Sequence, residues 1–462
     1  METIEDSAVS FVDTIRRSQI LRLFSLGLFT LVLLVPIVMI ANLVDERQQR
    51  RDDATAEVMA KWGSAQTVTG PALVLPYTVR WTETDAKDKI IAHEERRNLV
   101  VLPSRLRVRG TIDTTVLSRG IFLVPVYKEA LTLVGEFDQV RPADLGIKPA
   151  DVIWDHASLA IGISEVRTIQ EQVIVAWNGT PVAFLPGSGG FGDVGAGIHA
   201  PVPVNDATKT FAFSVPLNLN GSIGVYFVPA AADTAVEVTS NFTHPNFQGN
   251  WLPTDRAVTP QGFRASWAMP SLGRNYPQTW VTPATGMKEA IEKSRFGVEL
   301  ANPVDPYRMA DRSVKYAALF ILLTFTLIWL VEVLAGVRVH PIQYLMIGAA
   351  LCIFYLLELS LSEHITFPAA YVTATLAIVA MVAAYSRVVL RETGRALAVS
   401  AGVSALYGYL YVLLTNEDFA LLIGSIGLFV VLGGVMILTR RVDWYTSKQW
   451  GNEAMATRPI TQ

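Results

Sequence analysis

The sequence predicts a membrane protein with six transmembrane α-helices, one followed later by five, and a large β-rich insert between them. Of the 462 residues, 51% are hydrophobic and only 17% are charged, whereas soluble chains carry about 25% charged residues. Six stretches are apolar and long enough to cross a bilayer core about 30 Å thick. Between the first two stretches, apolar and polar residues alternate, which favours antiparallel sheets packed as a sandwich or one long curved sheet.

The composition also excludes several classes of protein. A formal net charge of −3 excludes a strongly basic nucleic-acid binder. A single cysteine, Cys352, excludes an internal disulfide and an all-cysteine metal site. The six histidines are scattered without an HxxxH or HxH pair, so we expect no zinc site and no cofactor.

The apolar stretches divide the chain into five segments. The first stretch is longer than the 7–15 residues of a signal-peptide core and is followed by no small-x-small site, so we expect a retained signal anchor. The six predicted spans are residues 21–44, 316–337, 341–361, 367–386, 396–415 and 419–438. We therefore expect an N-terminal tail at 1–20, an insert at 45–313, a five-helix block at 314–441 and a C-terminal tail at 442–462.

Positive charge in the short connections predicts the orientation. The turns at 362–366 and 416–418 carry no Lys or Arg and hold Glu363, Glu417 and Asp418 instead. The basic residues lie at the opposite helix ends, and they are Arg16, Arg17, Arg22, Arg338, Arg387, Arg391, Arg395, Arg440, Arg441 and Lys448. By the positive-inside rule both termini are cytoplasmic, and the insert is on the other side of the membrane, in the periplasm.

The insert has strand and hairpin signals with few helical ones. Residues 105–109 alternate strictly between arginine and an aliphatic side chain, and residues 211–220, 222–228 and 235–242 are predicted as successive strands. Asn220-Gly221 and the 178–181 segment, which begins Asn178-Gly179, are the predicted hairpin turns. Two helices are expected: residues 45–61, continuing the first span, and residues 284–296.

Four ionisable residues near the ends of the spans are the candidate functional side chains. Glu332 and Glu358 are the acidic residues inside the predicted spans, and Glu363-His364 follows in the turn after the third span. Ionisable groups within a membrane mark proton or ion pathways by default. However, Glu332 and Glu358 each lie about one turn from a helix end, where snorkelling or an interhelical hydrogen bond is the favoured explanation. For Glu363-His364 the favoured explanation is a polar interfacial turn whose charges face water.

The fifth span has a stripe of small residues at a spacing of four: Ala396, Ser400, Ser404 and Gly408. Small residues let two helices approach closely, so this stripe predicts helix packing within the protein or between two copies.

Several motifs in the same order resemble one known family. They are LNLNGS at 217–222, TSNFTHPNFQG at 239–249, GFRASW at 262–267, YRMADRSVKY at 307–316, HPIQY at 340–344, FYLL at 354–357, LSEH at 361–364 and LTRRVDWY at 438–445. Together they resemble the CreD family of inner-membrane proteins of Gram-negative bacteria, from about residue 22 to 445. The resemblance implies a gene under a two-component system, a role in envelope integrity, and altered tolerance to colicins and β-lactams. It implies no catalytic residue and no ligand.

Three functions remain open at this level, and we expect the protein not to be an enzyme. The first is a membrane-anchored periplasmic scaffold that contributes to envelope integrity or the envelope stress response. The second is a transporter or lipid-handling protein that uses the helix block, and the third is a sensor that binds a periplasmic ligand. The expected partners are the lipid bilayer and either another envelope protein or a second copy of the chain, with no nucleic acid.

Overall fold

A computed structural model describes residues 19–84, 90–204, 209–300, 305–337 and 339–440. The described residues form two compact units, one comprising residues 19–50 with those from 305 onward and the other comprising those from 51 to 300. Most of the two predicted tails lies outside the described residues. Among the basic residues of the orientation prediction, Arg16, Arg17, Arg338, Arg441, Lys448 and the side chain of Arg22 also lie outside them.

The described ranges contain seven α-helices. They are α1 Gln19–Trp62, α2 Met287–Lys293, α3 Pro306–Ala335, α4 Pro341–Ser362, α5 Phe367–Leu390, α6 Thr393–Thr415 and α7 Ala420–Thr439. Six of them, all but α2, are long and apolar enough to cross a membrane. The prediction of one span followed by five is therefore confirmed, and α1 continues unbroken from its apolar part through residues 45–61, as expected.

The described part of the insert contains seventeen strands. They are β1 Gln66–Thr84, β2 Ile90–Val101, β3 Arg105–Arg119, β4 Phe122–Phe137, β5 Ser158–Ile163, β6 Ile174–Trp177, β7 Thr180–Ala183, β8 Leu185–Pro186, β9 Gly197–Pro201, β10 Phe211–Ser222, β11 Gly224–Phe227, β12 Asp233–Ser240, β13 Asn246–Gly249, β14 Asp255–Thr259, β15 Gly262–Pro270, β16 Thr279–Thr282 and β17 Phe296–Glu299.

These strands form two sheets with one shared core. The nine-stranded sheet runs β13-β17-β11-β1-β5-β9-β8, with β2 on β1 and β16 on β2, and the eight-stranded sheet runs β14-β15-β12-β3-β4-β10-β6-β7. A single cluster of buried apolar side chains includes residues of both sheets, so they pack face to face as a sandwich. Most pairs are antiparallel, as expected, but β1 pairs with β11 and β3 with β12 in parallel.

The alternation in the sequence determines which side of each strand is buried. In β3, Leu106 and Val108 are buried while Arg105, Arg107 and Arg109 are exposed, because successive side chains point to opposite faces. In β1, residues 68–75 are buried throughout, as expected for a central strand covered on both faces.

One predicted hairpin is confirmed and the other is wrong. Asn178 and Gly179 both have positive φ and join the antiparallel strands β6 and β7, as a two-residue hairpin turn requires. At Asn220-Gly221 the chain does not turn, because β10 continues to Ser222 along β4. The next strand, β11, lies in the other sheet.

The helix predicted at residues 284–296 is shorter in the structure. The helix α2 covers only Met287–Lys293, because Gly286 precedes it in a left-handed conformation with φ 74°. At its other end, Phe296 is already the first residue of β17 and is completely buried.

The helix block is organised around α3 and α4. The inward face of α3 includes Ala317, Phe320, Ile321 and Phe325, all buried. The helix α4 begins at Pro341, with His340 as N-cap and Gln343 completing a capping box. The helix α1 packs here too, since its buried Leu33 lies against Gly348 of α4.

Candidate functional site

Glu358 on α4 is the most deeply buried carboxyl group of the helix block among the described residues. Its side chain is 0% exposed. The Ser313 hydroxyl of α3 donates a hydrogen bond to Glu358 Oε2 at 2.8 Å. The other oxygen, Oε1, has no hydrogen-bond partner in the described part of the chain. A half-satisfied carboxyl group inside an apolar helix bundle is costly, so its presence needs an explanation beyond packing.

An aromatic cluster from three helices surrounds Glu358. The carboxyl group interacts electrostatically with the phenols of Tyr355, Tyr371 and Tyr407, from α4, α5 and α6 respectively. The Phe354 ring lies 4.3 Å from the Tyr407 ring and 5.4 Å from the Tyr371 ring, measured between centroids. Tyr371 Oη donates to the Tyr407 carbonyl oxygen at 2.6 Å. Glu358 is therefore surrounded by aromatic side chains, and the Tyr371 hydroxyl among them already donates its proton to a backbone carbonyl oxygen.

Glu332 has a different environment near the other end of α3. It is also buried, 4% exposed, but both its oxygens are hydrogen-bonded. Tyr344 Oη donates to Oε2 at 2.8 Å, and the Val339 amide donates to Oε1 at 3.3 Å. These bonds connect the end of α3 to the start of α4, so Glu332 stabilises the helix connection.

Glu363 lies where α1, α3 and α4 meet. Tyr307 Oη donates to Glu363 Oε1 at 3.1 Å, and Arg47 Nε lies 3.8 Å from the same oxygen. The Ser362 hydroxyl donates to the Leu359 carbonyl oxygen, and His364 is exposed. Among the described contacts, Ser362 and Glu363 thus bind different partners, and no contact joins Ser362, Glu363 and His364 into a catalytic set.

A second polar group lies at the same end of the block, which we call the Glu363 end. Arg308 Nη2 lies 2.7 Å from Glu417 Oε2, linking α3 to the α6–α7 connection. Arg312 donates to the carbonyl oxygens of Leu413 and Leu414 at 3.1 and 2.9 Å. These contacts satisfy the last carbonyl groups of α6, which have no partners inside the helix.

The sequence-predicted residues therefore separate into two locations. Glu358, Glu363 and His364 lie close to the Glu363 end, since Ser313, which binds Glu358, is only two turns from Tyr307. Glu332 lies nineteen residues beyond Ser313 on α3, which is about 28 Å at 1.5 Å per residue. The structure does not bring the two buried glutamates together into one site.

The small-residue stripe of α6 is buried over only half its length. Ala396 and Ser400 are buried, whereas Ser404 and Gly408 are exposed, and a Cβ at Gly408 would meet nothing within 4 Å. Close helix approaches occur instead at Gly348, against Leu33 and Phe325, at Gly402 of α6, against Leu327 of α3, and at Gly427, against Tyr409.

Glu129 in the insert is a buried carboxyl group that the sequence reasoning missed. It is 2% exposed, and neither carboxyl oxygen has a hydrogen-bond partner among the described residues. Burial raises the pKa of Glu129 to about 8. The alternation of β4 could have indicated this burial, because Glu129 lies on the same inward face of the strand as Leu131 and Leu133.

Metal binding has no support in the described ranges, where no group of three or more His, Cys, Asp or Glu side chains could hold an ion. The polar residues of the helix block that the structure describes bind one another and backbone groups.

Comparison with known proteins gives consistent results along nearly the whole chain. The family model described as inner membrane protein CreD matches residues 18–445. A curated relative, inner membrane protein CreD of Escherichia coli (strain K12), is 33% identical over 419 residues, which are 90% of this chain and 91% of the relative.

Proposed function

The chain belongs to the family of inner membrane protein CreD, and from this premise we propose that it is a non-enzymatic, membrane-anchored scaffold for the cell envelope. In this role the helix block holds the insert at the periplasmic face of the inner membrane, with both termini in the cytoplasm. A surface of the insert then binds another envelope protein. The envelope role that the family resemblance implies supports this proposal.

The observation that carries the proposal is an exposed edge of the eight-stranded sheet. All five residues of β14 are exposed, and among the described strands β14 pairs only with β15. It contains no proline, so its outward backbone groups can bond an added strand. At the opposite edge, β7 contains Pro181, which lacks the N–H group that such pairing needs.

Exposed aliphatic side chains next to this edge strengthen the argument. Val258 of β14 is 51% exposed, and Leu252 and Leu272 are 68% and 96% exposed. Leu252 and Leu272 flank the point where Gly273 packs against the ring of Trp251. Large apolar side chains beside an open strand edge are suited to anchor an extended segment of a partner protein.

Site-specific photocrosslinking in living cells tests the scaffold role. A photoreactive residue at Val258 of the full chain should capture one reproducible envelope protein. The same residue at Ile174, an exposed position on β6 of the same sheet, is the control and should not capture it. Equal capture at both positions would contradict the proposal.

Charge placed on the same edge should interfere with the partner. Leu252→Lys combined with Leu272→Lys should abolish the Val258 crosslink and reduce β-lactam tolerance, because lysines at a strand edge oppose strand addition. An unchanged crosslink would count against this edge.

Turnover of a cell-wall or lipid substrate by the purified full chain would refute the non-enzymatic role.

The unpaired oxygen of Glu358 favours a second candidate function, transport or lipid handling through the helix block. Glu358→Gln keeps the size of the side chain and removes its charge. If this function holds, the variant should lose the envelope phenotype while Glu332→Gln retains it, because Glu332 serves the α3–α4 connection. If the Glu358→Gln variant retains the full envelope phenotype of the wild type, the transport role is rejected.

A further inference from the structure

A large apolar groove runs between α3, α6 and α7, and nothing in the proposed scaffold role uses it. Its volume is about 960 Å³, within the 300–1,000 Å³ that ligand pockets commonly have. The groove extends along α3 from Tyr316 to Leu330, which is about 21 Å at 1.5 Å per residue. It is therefore long enough to follow lipid chains through much of the bilayer core.

The helix α7 packs closely against Tyr409 of α6 at Gly427, and the groove remains where other parts of α7 leave open space. None of the described residues of α7 is buried, and the side of α7 that lines the groove includes Ala420, Gly424 and Gly434. A Cβ at Gly434 would meet nothing within 4 Å, and at Gly424 the nearest atom is 4.0 Å away on Leu413. Because no described residue of α7 is buried, the gap is open at the surface of the helix block and can admit a ligand from the bilayer.

The chemistry of the lining identifies the buried part of the occupant as hydrocarbon. Four hydroxyl groups line the groove, that of Tyr316 at its Glu363 end and those of Thr326, Tyr409 and Ser425 farther along. The last three donate to backbone carbonyl oxygens of this chain, of Leu322, Ile423 and Leu422 respectively. With these three hydroxyl protons already bonded, the groove beyond Tyr316 selects an apolar ligand.

Charged residues at the Glu363 end of the groove indicate the head group. Arg312 reaches the carbonyl oxygen of Leu413, a lining residue, and also lies 3.5 Å from Glu417. Lys315, next to the lining residue Tyr316, pairs with Asp311 at 2.6 Å and is 69% exposed. This rim offers both signs of charge, which complements a phosphate and an ammonium group on one molecule.

We infer that the α3–α6–α7 groove binds the acyl chains of a zwitterionic phospholipid, with its phosphate toward Arg312 and Lys315 and its ammonium group toward Asp311 and Glu417.

Two adjacent glycines of α7 provide a matched test by native mass spectrometry. Gly434 lines the groove, whereas Gly433 does not, and a Cβ at either position meets open space. The full chain is extracted in mild detergent, and the bound phospholipid per chain is measured. Wild type and Gly433→Phe should retain the lipid, whereas Gly434→Phe should lose at least nine-tenths of it. Equal retention by the two variants, or no phospholipid on wild type, overturns the inference. Gly424→Phe replaces Gly434→Phe if that variant does not accumulate.

The head-group class and other occupants need two further measurements. Wild type in nanodiscs that contain equal amounts of phosphatidylethanolamine and phosphatidylglycerol should retain mainly phosphatidylethanolamine. Retention of mainly phosphatidylglycerol would overturn the zwitterionic assignment.

The Gly434→Cys variant in a Cys352→Ala background tests for a second copy in the groove, and it should remain monomeric under oxidation. A disulfide-linked dimer would mean that a second copy covers the groove, and it would overturn the lipid assignment.

Discussion

Three buried glutamates show how strongly the environment of a residue determines its role. Glu332 and Glu358 look alike in the sequence, since each is a lone carboxyl group near the end of an apolar helix. In the structure Glu332 is bonded by Tyr344 and Val339, whereas Glu358 has one bonded oxygen and one without a described partner. Its partner Ser313 is 45 residues away in the chain, so no local pattern predicts the bond.

Glu129 should make the stability of the protein depend on pH. Its folded-state pKa of about 8 lies above the ordinary value of 4.5, so the unfolded chain ionises first as pH rises. The free energy of unfolding should therefore fall between about pH 4.5 and pH 8 and then level off, by several kcal/mol in all. Urea unfolding of the full chain in detergent, followed by tryptophan fluorescence, measures this slope.

The Glu129→Gln variant isolates that contribution. It should remove most of the slope between pH 6 and pH 8, because the amide does not ionise. Glu136→Gln on the same strand, where the carboxylate is partly exposed beside Arg105, is the control and should leave the slope unchanged. Identical slopes in wild type and Glu129→Gln would contradict the assignment.

At the scale of elements, periodicity predicts helices and strands well but predicts their partners poorly. The six spans follow from hydrophobic length, and β3 follows from strict alternation. The Asn220-Gly221 hairpin fails because Gly221 lies tightly against the Tyr127 ring, where a Cβ would come within 2.3 Å of the hydroxyl oxygen. The glycine serves close packing between elements there and makes no turn, a distinction that the dipeptide alone does not contain.

The close contact between α1 and α4 should be sensitive to added volume at Gly348. A Cβ there would lie 2.2 Å from Leu33 and 2.8 Å from Phe325, both buried. We expect Gly348→Val to destabilise the protein by about 1–3 kcal/mol through overpacking, measured as a lower thermal midpoint in detergent. Gly408→Val, where a Cβ meets open space, is the matched control and should shift the midpoint less. Equal shifts would mean that the α1–α4 contact does not limit stability.

At the scale of the whole molecule, charge is divided between two kinds of segment. Residues 45–313 hold 55 of the 79 charged residues, and this range contains the compact unit Arg51–Pro303 of two packed sheets. The remaining residues are poor in charge, and in the sequence most of their basic residues fall at one set of ends of the predicted spans, with Lys315 at the opposite set. The orientation that this asymmetry predicts, with the insert in the periplasm, can be tested directly.

Cysteine labelling in spheroplasts tests the orientation. In a Cys352→Ala background, a membrane-impermeant maleimide should label Glu83→Cys in intact spheroplasts, because Glu83 is an exposed residue of the insert. It should label Glu392→Cys, in the α5–α6 connection, only after the membrane is permeabilised. The reverse pattern would contradict the positive-inside prediction.

The sequence by itself determined the number of spans, the β-rich class of the insert and the family resemblance. These depend on hydrophobic length, alternation and local motifs, which are properties of neighbouring residues. The tertiary structure decided which polar residues are satisfied, which sheet edge is open and where a groove remains between helices. Each of these depends on contacts between residues far apart in the chain, such as Ser313 with Glu358. Such pairings are set by packing, and one sequence does not specify them locally.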